Sequence, residues 1–175
     1  MDLQPTLTHE LITLRPLVKV DYEELYGVAK DPAIWEQHPA RDRYEREVFR
    51  VFFEDAIKSQ GALVALDTSS QKVIGSSRFK LSQSDHNAVE IGWTFLAKEK
   101  WGGVYNGVMK SMMINYALQH IDHVIFYIDK SNIRSQKAVE KIGGRIINEP
   151  ELEHLVRKEP DYLTYRLGAE GPRNK

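Results

Sequence analysis

The sequence predicts an α/β fold, with helices packed on a mixed, mostly antiparallel central sheet. Three observations lead there. Strand-like segments at 62 to 67, 72 to 81 and 88 to 97 follow one another through short polar turns, as in an antiparallel meander. Further on, helical patterns alternate with the short apolar run "VIFYI" (124 to 128), the order of a βαβ unit. And 175 residues, 42% hydrophobic and 28% charged, are enough for one well-buried core. One domain over 1–175 is expected, with its core at about 8–168 and the polar "GAEGPRNK" as a flexible tail.

The elements follow in order. "LITLRPL" (Leu11 to Leu17) alternates apolar and polar residues, the period of a half-buried strand. Asp21 and the acids after it open a short helix that Pro32 stops. In "YEREVFRVFFEDAIKSQG", Val48, Phe49, Phe52, Phe53, Ala56 and Ile57 form one stripe opposite the charges, and Gly61 closes the helix. After the meander comes a helix with Val108, Met109, Met112, Met113, Tyr116 and Ala117 facing inward. "VIFYI" reads as a buried strand of the parallel type. "SNIRSQKAVEKIGG" is a helix capped by Ser131 or Asn132 and ended by Gly143 and Gly144. "RIINEP" and "YLTYRLG" complete the strands, giving β-α-α-β-β-β-α-β-α-β-β.

Composition narrows function. Twenty-four basic against twenty-five acidic residues advertise neither a nucleic acid nor an anionic membrane as partner. With no cysteine, thiolate catalysis, disulfides and Cys-ligated zinc are excluded. His120 and His123 could share a helix end, but no third ligand of matching spacing is evident and Asp122 lies on another face, so no metal is expected. No G-x-S-x-G elbow is present. The N-terminus lacks a secretory pattern and no run of about eighteen apolar residues occurs, so the cytoplasm is the expected compartment.

The most informative stretch is "EKWGGVYNGVMKSMM", with Gly102, Gly103 and Gly107 at the mouth of a helix. A helix N-terminus offers free N–H groups and a positive dipole end, and glycines ahead of it let the backbone curl around an anion. A plain strand-to-helix turn with glycines for room is the alternative. It is not a P-loop, because Val108 stands where that motif needs lysine. A dinucleotide fingerprint wants glycines at places one, three and six, and here they stand at one, two and six; Asp129 about 20 residues on favours it, but the preceding strands read as antiparallel.

Taken together, "LITLRPL", "VEIGWTFLAKEKWGGVYNGVMKSMM" and "NIRSQKAVEKIGGR" resemble the GCN5-related N-acetyltransferase (GNAT) superfamily, especially its ribosomal-protein N-terminal acetyltransferase branch. The likeness runs from about Leu11 to Leu167. It implies direct transfer of acetyl from acetyl-CoA to a primary amine: a protein N-terminus, an amino acid or a small amine. The phosphate loop would comprise Trp101, Gly102, Gly103, Val104, Tyr105 and Asn106, followed by Gly107. Trp101, Val104 and Asn106 depart from the family's usual residues there. Backbone groups of Thr94, Phe95 and Leu96 would pair with the pantetheine arm in a gap between strands, Asn132 would bond that arm, and Ser135 would lie by the thioester sulfur. Lys137 would meet the 3′-phosphate. Glu90 is the expected base and Ser135 the expected acid, since Val139 stands where the family places a tyrosine; Tyr127 is an alternative acid. Trp35, His38 and Arg41, in the loop between the first two helices, would contact the acceptor. The expected assembly is a monomer or homodimer, and a CoA-binding module without catalysis is the alternative.

Overall fold

The computed structural model describes residues 1–168, so the expected tail from 169 onward lies outside the described residues. The strands are β1 (Leu7–Thr8), β2 (Ile12–Pro16), β3 (Ala62–Asp67), β4 (Val73–Leu81), β5 (Ala88–Leu96), β6 (His123–Asp129), β7 (Arg145–Ile146) and β8 (Tyr162–Gly168). The helices are α1 (Tyr22–Ala29), α2 (Arg46–Lys58), α3 (Tyr105–Leu118) and α4 (Ile133–Lys141). One eight-stranded sheet has the order β1-β2-β3-β4-β5-β6-β8-β7. Every neighbouring pair is antiparallel except β5 and β6, which α3 links by a crossover.

The sheet is covered on both faces, and β3 shows why its sequence alternates so little. Leu63 and Ala65 pack with Met109, Met113 and Ala117 of α3, while Ala62, Val64 and Leu66 pack with Leu25, Phe49 and Phe53 of α1 and α2. Successive side chains of a strand point to opposite faces, so a strand with helices on both sides must be apolar throughout. A third small cluster of Ala88, Ile125, Ile147 and Leu155 closes one end.

Two differences from the sequence reading have local causes. "RIINEP" forms only the two-residue edge strand β7, because Pro150 cannot donate to a ladder; the chain turns instead into a 3-10 helix (Pro150–Leu155) that buries Leu155. The short β1, paired with β2 through Leu7 and Leu14, is an addition that two residues could not announce by periodicity.

One irregularity positions everything that follows. Between Ser76 and Arg78 the β4–β5 register shifts, so Ser77 faces both Trp93 and Thr94. Trp93 has φ 53°, a left-handed conformation that costs energy for a bulky residue. The extra residue reverses the side-chain parity of β5. Val89 and Ile91 face α3 before the bulge, whereas after it Phe95 faces α1 and α2.

Candidate active site

Beyond the bulge, β5 and β6 part. They pair only over Ala88, Val89 and Glu90 against His123, Val124 and Ile125. From Ile91 onward the β6-facing edge of β5 has no strand partner, and two narrow cavities of about 180 and 110 Å³ fill the gap. They share His38, Thr94, Lys110, Asn132 and Ser135.

The larger cavity reaches from this junction to the start of α3. Thr94, Phe95, Leu96, Trp101, Gly102 and Asn106 line it, together with Trp35. Gly102 adopts φ 70°, the conformation that makes glycine the natural choice there. Val104 has φ −85° and ψ −16°, right-handed and unstrained for valine, with its side chain exposed. A Cβ added at Gly103 or Gly107 would meet nothing within 4 Å. The first intrahelical bond runs from Val108 N–H to Val104 C=O, so the amides before it have no acceptor within the helix.

Several contacts fix the rim. Trp101 Nε1 donates to Leu96 C=O at 2.9 Å, and the Arg134 guanidinium stacks on the Trp101 ring at 4.2 Å. Arg134 also donates to Ile34 C=O at 2.9 Å, joining α4 to the loop before α2. Tyr105 turns away from the cavity: its hydroxyl donates to Asp67 at 2.9 Å, beside Lys100 at 2.8 Å. Lys100 first, with Ser69, Ser70 and Tyr105, holds the Asp67 carboxyl well below the usual carboxylate range.

At the junction, the Asn132 side chain caps α4 by accepting from Ser135 N–H at 3.1 Å through Oδ1. Its Nδ2 amide group remains able to donate. Ser135 lines both cavities. His38 accepts the Ala40 N–H through Nδ1 at 2.9 Å, and its Nε2 lies 3.2 Å from Arg43. Burial first, and then Arg43, lowers the His38 pKa to about 4, so the ring is neutral at pH 7.

Not every expected residue converges here. Glu90 borders a separate cavity of about 590 Å³ with Trp93 and Tyr127, both of which also line the smaller junction cavity. A Cβ at Gly92 would stand 3.1 Å from Glu90 Oε1, so the missing side chain makes room for that carboxylate beside the gap. Burial raises the Glu90 pKa above the usual 4.5. Arg41 and Lys137 are exposed and line no part of the gap, and Gly103 and Val104 are exposed at its outer lip. Trp35 is part of the α1–α2 core, with Nε1 donating to Ala29 C=O at 2.8 Å. Val139 is fully buried in the α3-side core, and Tyr127 donates its hydroxyl to Leu155 C=O at 3.0 Å.

Lys110, Arg134 and Trp93 are site residues that sequence reasoning passed over. For Lys110 a signal existed: it lies three, four and seven places before the buried Met113, Ile114 and Ala117, so the helix carries it inward. Among the described residues, no cluster of three or more His, Asp or Glu could hold a metal, and no helix is long and apolar enough to cross a membrane.

A family model for the acetyltransferase (GNAT) domain matches residues 12–145. No curated protein sequence matches. Among solved structures, a GCN5-related N-acetyltransferase from Brucella melitensis superposes with TM-score 0.77 at 16% identity, covering 94% of this chain and 79% of that one. A GNAT-family acetyltransferase from Bacillus anthracis gives TM-score 0.72 at 16% identity, with 94% and 98% covered. The spermidine N-acetyltransferase of Vibrio cholerae, solved with CoA and spermine, gives TM-score 0.65 at 14% identity, with 90% and 94% covered.

Proposed function

The chain belongs to the GNAT acetyltransferase family and is an acetyl-CoA-dependent N-acetyltransferase, and on that premise we propose that the gap between β5 and β6 receives the donor and that the acceptor is a primary amine. The observation that carries this reading is the coincidence of an unpaired strand edge with a free helix N-terminus at one end of the same cavity. A pantetheine arm is an extended chain of amides, and the open edge at Thr94, Phe95 and Leu96 offers it main-chain bonds as an added strand would. The amides from Gly102 to Gly107 suit the pyrophosphate, through the helix dipole and unused N–H groups. Asn132, buried and with its amide hydrogens uncommitted, suits the arm's carbonyl groups.

Glu90 is the base in this scheme. Its carboxylate approaches from the cavity shared with Tyr127 and Trp93, opposite the donor, and takes the proton of the attacking amine directly or through one water. A carboxyl pKa raised by burial makes it a stronger base than an exposed glutamate. Ser135 stands by the sulfur, His38 walls the junction on the acceptor side, and Trp35 lines the donor's cavity.

The acceptor is a protein N-terminus, as the likeness to ribosomal-protein N-terminal acetyltransferases implies, or an amino acid or small amine. The Vibrio cholerae relative supports an amine in general. The test is mass spectrometry of the purified protein with acetyl-CoA and three acceptor classes: peptides with free N-termini, free amino acids, and spermidine. A gain of one acetyl group on one class is expected. Acetyl-CoA left intact with all three, with no hydrolysis, would count against the proposal.

A further inference from the structure

Lys110 carries a charge for which the described residues supply no counter-ion. It lies in the second turn of α3 and is 7% exposed. Its Nζ sits 4.7 Å from the centre of the Phe126 ring, and among the described residues it makes no hydrogen bond or ion pair. Burying an ammonium without a partner is costly, and such groups concentrate where chemistry needs them. The side chain borders both cavities of the gap, at the level of Thr94 and Ser135.

The neighbouring titratable groups do not neutralise it. They are His38 from the loop before α2, Tyr127 and Asp129 from β6, Arg134 from α4 and Tyr162 from β8. Asp129 is bonded to Ser131, and His38 is uncharged. Desolvation alone lowers the Lys110 pKa, to about 8. The ring of Phe126 gives the ammonium an electrostatic seat that a carboxylate would have over-stabilised.

We propose that Lys110 is the acid of the transfer, donating a proton from Nζ to the CoA sulfur as the thioester breaks. The inference rests on the donor occupying the β5–β6 gap as proposed above. The acceptor nitrogen's lone pair forms the new carbon–nitrogen bond, and the pair of the broken carbon–sulfur bond goes to sulfur. The proton on that sulfur comes from Lys110, leaving CoA thiol and a neutral amine. The proton released by the acceptor nitrogen passes through Glu90 and water, and an equal proton from water restores the ammonium. No oxidant, reductant or further reactant is needed. An acid close in pKa to an alkyl thiol, about 8.5, is well matched to this task, whereas a serine hydroxyl is not. Val139 has no ionisable proton to give, and the Tyr127 hydroxyl is turned to Leu155.

The test compares the wild type with Lys110→Met and Lys110→Arg, after calorimetry has measured acetyl-CoA binding to each. Binding within about threefold is expected, with kcat at pH 7.5 reduced about 10²- to 10³-fold in both variants. Arginine keeps the charge but releases no proton in this range, so recovery of activity by Lys110→Arg would overturn the acid role. The wild-type kcat should fall as pH rises through about 8, and both variants should lose that limb. An acetyl thioester of an aryl thiol, whose thiolate leaves unprotonated, should shrink the loss to below about tenfold; an equal loss with alkyl and aryl donors would overturn the proposal. Lys110→Gln replaces Lys110→Met if thermal unfolding finds the latter misfolded. A wild type that acetylates while Lys110→Met matches it refutes Lys110 alone, whereas a wild type that binds no acetyl-CoA refutes the donor site and Lys110 with it.

Discussion

His38 makes the stability of this protein depend on pH in a window of its own. Its ring lies edge-on to Trp35, 5.7 Å between centroids, with Ala40 N–H donated to Nδ1 and Arg43 beside Nε2. Burial, and then Arg43, moves its pKa from 6.5 to about 4. Between those values the unfolded chain binds a proton that the folded protein refuses. Stability therefore rises with pH across the window, is complete above about 6.5, and is lost as pH falls toward 4. At about 1.4 kcal/mol per pH step, the whole window amounts to about 3 kcal/mol. The perturbation is His38→Asn, which keeps an acceptor for Ala40 and cannot titrate. Urea unfolding at several pH values from about 4.5 to 8 reads the difference. Wild-type stability should climb by about 2 to 3 kcal/mol more than that of His38→Asn over this range. Carboxylates such as Asp67 and Glu149, held below their usual range, act at lower pH and in both proteins alike. Parallel profiles for the two proteins would show that His38 does not carry this pH dependence.

Two further outcomes concern Glu90 and Gly144. Glu90→Gln should lower kcat/KM at pH 7 about 10²-fold or more and abolish the rise of rate with pH through the raised Glu90 pKa, while acetyl-CoA binding is unchanged by calorimetry; retention of that rise would remove Glu90 as the base. Gly144→Ala would place a Cβ 2.3 Å from Val139 Cγ1 and 3.0 Å from its carbonyl, in a fully packed core, and should cost about 1–3 kcal/mol, or a fall in Tm of several degrees by scanning calorimetry; an unchanged Tm would contradict the packing described.

The sequence was most legible where one physical signal dominated. The α2 stripe of Phe49, Phe53 and Ala56 is buried as its spacing demands, and the meander from Ala62 to Leu96 pairs antiparallel throughout. The strand of parallel type, "VIFYI", pairs parallel with β5 and antiparallel with β8, since its position in the sheet depends on residues forty places away. Asn132 rather than Ser131 caps α4, a choice between adjacent residues that only backbone geometry makes. Around the gap, glycine counting overstated the case. Of three clustered glycines only Gly102 has a positive φ, and Val104 needs none. Lys110 was hidden by its charge, because a lysine is taken for the solvated edge of a stripe even where its spacing from Met113, Ile114 and Ala117 carries it inward. Trp93 was hidden for another reason: a left-handed tryptophan contradicts local preference and exists because the β4–β5 register imposes it. Tyr105 lay inside a recognised motif, yet Asp67, thirty-eight residues away, claims its hydroxyl.

On the proposed reading, acetyl-CoA lies in the gap between β5 and β6 with its phosphates at the start of α3. Amide hydrogen exchange of the protein with and without acetyl-CoA tests that placement most directly, because bound main-chain groups exchange more slowly. New protection is expected to concentrate at residues 94–96, 102–107 and 132–135, with little change at α1 or at the β1–β2 edge. Protection confined to other elements, or none at saturating acetyl-CoA, would contradict that placement.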